Sequence, residues 1–64
     1  MAKPSWPKYK KFKGVEYHLA TMFSRVVGRA RVYEEAAKLR RQGNKAKVLY
    51  DDGYRGYQYA IYVR

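Results

Sequence analysis

Cysteine is absent from the 64 residues, which excludes disulfides, thiolate nucleophiles and cysteine-based zinc sites together. Acidic residues are scarce: five Asp and Glu stand against fifteen Lys and Arg, giving a formal net charge of +10 and a pI near 10.1. No apolar run approaches the roughly 20 residues that a transmembrane helix needs. No apolar segment follows the first lysines to make a signal peptide either. The expected location is therefore the cytoplasm, with no membrane partner. A chain this short buries only about 60% of the surface its unfolded form exposes, so a few large side chains must carry the packing. Eight tyrosines, two phenylalanines and one tryptophan supply them, with hydroxyl groups that tolerate a wet edge. The charge excess favours a polyanionic partner, nucleic acid first, with an anionic membrane surface or an acidic protein behind it.

The basic residues are concentrated at the start. Residues 1–13 hold Lys3, Lys8, Lys10, Lys11 and Lys13, together with Trp6, Tyr9 and Phe12, and no acid. Pro4 and Pro7 bias this stretch toward polyproline II, whose three-residue repeat would align Trp6, Tyr9 and Phe12 along one side. Aromatic rings that stack on bases beside ammonium groups that meet phosphates are the equipment of single-strand and RNA binders. The competing interpretation is that the three aromatics close a small core while the lysines stay solvated. Residues 1–13 are accordingly expected to form an arm, and residues 14–64 the folded domain.

Within that domain, Val15 to Phe23 alternates in period two, with Val15, Tyr17, Leu19 and Phe23 on one side and Glu16, His18, Ala20 and Met22 on the other. From Arg29 to Gln42 the apolar residues Val32, Tyr33, Ala36 and Leu39 form a helical stripe, and Gly43 with Asn44 provides a stop. Lys45–Asp51 and Tyr57–Arg64 alternate again around Asp51-Asp-Gly-Tyr-Arg-Gly56, a hairpin loop. The fold class expected is α+β, a single β-α-β-β domain. A right-handed crossover makes the first two strands parallel and leaves room for the third between them, so a three-stranded antiparallel sheet of order 2-3-1 follows. One helix covers one face, and the other is left open with Met22, Leu49, Ala60 and Tyr62 on it. The aromatic arm, a second copy of the chain or a ligand should cover that face.

From Val32 to Arg64 the pattern resembles the β-α-β-β half of SPOR-like domains, through Ala36-Ala-Lys-Leu39, Gly43, Ala46-Lys-Val48 and Tyr57-Gln-Tyr-Ala-Ile-Tyr-Val63. It is similar also to short uncharacterised archaeal proteins with a helix, Leu-Arg-x-x-Gly and a terminal Tyr-x-Val-Arg-like strand. The resemblance covers about half the chain and implies a fold rather than an activity. SPOR domains bind denuded peptidoglycan, with a second helix and a fourth strand that this pattern does not match.

No enzyme is expected, and no metal or cofactor. His18 is the only histidine, and with Glu16 two residues away on a strand it fits a surface pair better than a catalytic one. Asp51 and Asp52 lie in a turn, where aspartate is favoured for its own backbone hydrogen bonds. For binding, three basic groups stand out: the arm, from Lys3 to Lys13; the junction arginines Arg25, Arg29 and Arg31, near a helix N-terminus that favours anions; and a sheet-face platform of Lys45, Lys47, Tyr62 and Arg64. The function expected is binding of DNA or RNA with low sequence specificity, including a ribosome-associated role. The alternative is an interaction module that forms a homodimer, or docks an acidic protein, through the open sheet face.

Overall fold

The computed structural model describes residues 6–54 and 56–64; Lys3 lies outside them. The described residues form an α+β unit with one α-helix and a four-stranded sheet: β1 (Tyr9–Phe12), β2 (Val15–Phe23), α1 (Arg29–Arg41), β3 (Ala46–Tyr50) and β4 (Tyr59–Val63). The sheet order is β1-β2-β4-β3, and every neighbouring pair is antiparallel. The three expected strands take their expected order, and β1 adds a fourth at the edge. The boundary expected between residues 13 and 14 thus falls inside a hairpin, because Lys13 (φ 52°) and Gly14 (φ +81°) both adopt left-handed backbone. Two successive positive φ angles are what a two-residue type I′ turn requires, and it lays Phe12 opposite Val15.

Helix α1 begins after Gly28 and ends in a Schellman arrangement. The Gly43 amide donates to the Arg40 carbonyl at 3.0 Å and the Asn44 amide to the Leu39 carbonyl at 3.2 Å, with Gly43 at φ +94°. Those bonds satisfy carbonyls that the helix end would otherwise leave open. The inner stripe then buries Val32 and Ala36 against Ala46, Ile61 and Val63, with Leu39, Val48, Tyr59 and Phe23 at the margin.

The opposite face of the sheet is closed as well. Trp6, Tyr17, Tyr54, Ala60 and Tyr62 form a second buried cluster, edged by Phe12, Val15, Leu19, Met22 and Leu49. Trp6 is 4% exposed. Its ring stacks on Tyr54 at 4.2 Å and meets Tyr62 edge-on at 6.3 Å, and its Nε1–H donates to the Tyr57 carbonyl at 2.9 Å. The Tyr62 hydroxyl donates to the Pro7 carbonyl at 2.5 Å. The face expected to be open is therefore covered by the segment around Trp6, which buries Ala60 and Tyr62 and leaves Met22 and Leu49 half-buried at the margin.

Tyr17 and Leu19, expected on one side with Phe23 and opposite Met22, instead lie with Met22 on the Trp6 side, while Phe23 packs on the helix side. The register of β2 against β4 slips between Leu19 and Thr21. A bulge of one residue reverses which face each later side chain takes, so Met22 shares a face with Leu19 and Phe23 reaches the helix side.

Candidate nucleic-acid interface

Strand register gathers cations at one end of the sheet. Lys13 occupies the β1–β2 turn, Lys11 lies opposite Glu16, and Lys45 and Arg64 exchange both backbone hydrogen bonds, at 3.1 and 3.0 Å. Lys47 belongs to the same end, because its ammonium lies 5.4 Å from the Phe12 ring centroid and 5.8 Å from that of Tyr17. All five are exposed. The helix C-terminus adds Arg40, whose guanidinium donates to the Ala46 carbonyl at 2.7 Å. Cations there also complement the negative end of the helix dipole.

At the other end of the sheet, a groove of ≈ 400 Å³ opens between the start of α1 and the β3–β4 hairpin. Arg25 and Arg29 line it, with Tyr33, Tyr50, Tyr59 and Val48. Arg29 and Tyr33 are i and i+4 on one helix face, where side chains are neighbours. Tyr50 and Tyr59 are cross-strand partners, with ring centroids 4.9 Å apart. Arg25 sits on a 3₁₀ turn (Arg25–Val27) that Ser24 caps by accepting the Val26 amide. The Arg25 amide donates to Gln58 Oε1 at 2.9 Å, and Gln58 in turn donates to the Tyr54 carbonyl at 3.0 Å. The Tyr50 hydroxyl donates to Asp52. That hydrogen bond, with partial burial and the carboxylate's charge, raises the phenol above its ordinary range, and the Arg25 guanidinium opposes it. The Arg29 guanidinium has no hydrogen-bond or ion-pair partner among the described residues.

The aromatic row expected from Trp6, Tyr9 and Phe12 does not form. Trp6 is buried, and residues 9–12 are a strand, so Tyr9 (61% exposed) and Phe12 point to opposite faces. Tyr62, expected on a sheet-face platform with Lys45, Lys47 and Arg64, is fully buried, because Trp6, Pro7 and Phe12 pack over it. Lys10 serves the same closure, with its ammonium 5.8 Å from the Trp6 ring. Lys8 and Arg31 are exposed and line neither the groove nor the basic end. The structure brings Arg25 and Arg29 together with three tyrosines that sequence reasoning assigned to packing. The pattern carried a signal for them, in the spacing of Arg29 with Tyr33 and in the tyrosines that close the hairpin on both strands.

Among the described residues no helix is long and apolar enough to cross a membrane. No family model, curated protein or solved structure matches the chain significantly.

Proposed function

We propose that the protein binds nucleic acid, DNA or RNA, with little sequence preference. The observation that supports this most directly is the basic end of the sheet, where Lys11 and Lys13 from the β1–β2 hairpin meet Lys45, Lys47 and Arg64 from the β3–β4 hairpin, with Glu16 as the acid beside them. Four strands set about 4.8 Å apart make a front roughly 15 Å wide, enough to meet several phosphates of a backbone at once. The backbone attraction is independent of sequence. Helix α1 does not suit insertion into a major groove, since its outer side mixes Glu34 with Arg31 and Lys38, all exposed.

Salt titration of binding to labelled DNA and RNA tests the proposal. With about five phosphates neutralised on a duplex, the log–log slope should lie near −4 to −5, and Lys13→Gln with Lys45→Gln should reduce it by about two. A flat salt response, or no binding to either polymer at low salt, overturns it. Nuclease treatment of a pull-down from cell extract then separates DNA from RNA, ribosomal RNA included.

A further inference from the structure

We infer that the groove between α1 and the β3–β4 hairpin accepts one nucleotide of a single strand, with its phosphate at the arginines and its base on the exposed tyrosine rings. This rests on the nucleic-acid proposal but uses a different part of the molecule. Three properties of the groove support it. Its volume, ≈ 400 Å³, falls within the range of about 300–1,000 Å³ typical of small-ligand sites. Its walls join two chemistries that a nucleotide also joins: guanidinium groups, which meet phosphate oxygens as a planar fork, and aromatic faces, on which any base can stack. Finally, the walls are pre-set, with Arg25 tied through its amide to Gln58 and Tyr50 held by both Tyr59 and Asp52.

Charge fixes the orientation. Asp52 stands beyond Tyr50 and would repel a phosphate, and Arg25 is partly engaged with the Tyr50 hydroxyl. Arg29 has no such engagement, so the phosphate belongs on the helix side and the base toward Tyr33 and Tyr50. Tyr33 is 50% exposed and Tyr50 48%, so both have free ring surface that the core does not use. A duplex keeps its bases stacked on each other and cannot offer one to these rings, so the groove selects single strands. An acidic peptide would engage the arginines and leave the ring faces unused.

Fluorescence anisotropy with ten-nucleotide oligo(dT) and oligo(rU), against a duplex of equal length, tests the inference. Tyr33→Ser should weaken single-strand binding about tenfold with the salt slope retained, and leave duplex binding unchanged. Tyr33→Phe, which keeps the ring, should restore it. Arg29→Gln should reduce the slope by about one. Circular dichroism of each variant establishes that the fold persists. If Tyr33→Ser binds single strands as well as the wild type does, the groove inference fails and the general nucleic-acid proposal stands. If no oligonucleotide binds the wild type, both fail. If polyglutamate displaces the oligonucleotide in a way that depends on Arg29 but not on Tyr33, the groove is a site for acidic protein instead.

Discussion

Trp6 shows how one residue type can be read in two ways. Surrounded by lysines, it has the composition of a nucleic-acid contact, yet both its polar and its apolar requirements are met internally: the indole N–H by a carbonyl, and the ring by Tyr54 and Tyr62. Trp6→Ala should therefore cost about 3–5 kcal/mol. For a chain of this size, total stability is only of order 3–10 kcal/mol, so urea titration should show a protein unfolded or nearly so. The same substitution would be close to neutral for stability if the ring were an exposed contact. Tyr62 makes a separate point. Burial first, and then the neighbouring Tyr54, raise its phenol above the ordinary value of 10.0. A group whose proton is held more tightly in the folded state stabilises the fold below its unfolded pKa, and that stabilisation is lost as pH rises through the folded value. Thermal stability should accordingly fall above pH 10, and Tyr62→Phe should flatten this fall. It should also cost about 1 kcal/mol at neutral pH through the lost bond to Pro7.

At the level of elements, the helix was legible and the first strand was not. The stripe of Val32, Ala36 and Leu39 with a terminal Gly43 states its length and its stop, because packing and capping agree there. Strand β1 lacks such agreement. Two lysines occupy its centre, Pro7 precedes it, and its turn uses Lys-Gly where Asn-Gly or Asp-Gly would announce a type I′ hairpin. The bulge near Ala20 was equally hidden, because alternation in a single strand contains no record of its partner's register. The groove was half legible: its arginines lie in a basic cluster, but its tyrosines come from three separate elements that only the tertiary fold brings together. The turn offers a direct check. Gly14→Ala places a Cβ on a residue at φ +81° and should cost about 1 kcal/mol or more, read as a lower denaturant midpoint. Nothing lies within 4 Å of the added atom, so the cost would come from backbone conformation and not from a clash.

At the level of the whole molecule, a formal charge of +10 is spread over a body with extents of 35 × 27 × 14 Å. Screening at about 0.1 M salt acts over roughly 10 Å, so the two basic ends are independent at physiological ionic strength but repel at low salt. Folding and binding should then respond to salt in opposite directions. The melting temperature of the free protein should rise between low and moderate salt, while affinity for nucleic acid falls. A melting temperature that is insensitive to salt would mean that the cations are too far apart to repel one another.

The clasp over the sheet also links distant parts of the sequence. The Trp6–Tyr57 hydrogen bond spans 51 positions and the Tyr62–Pro7 bond spans 55. The β1–β2 hairpin and the helix close over short distances, but this cluster must close a loop of nearly the whole chain, and its entropy is recovered only when both ends have arrived. On a growing polypeptide, the segment around Trp6 is made early and waits until β4 has been synthesised before it can dock. During that interval a ring and its lysine neighbours stand in water, free to make other contacts. Indole fluorescence, which this single tryptophan supplies without a label, should report that docking as a late step in refolding, after the helix signal in circular dichroism has formed.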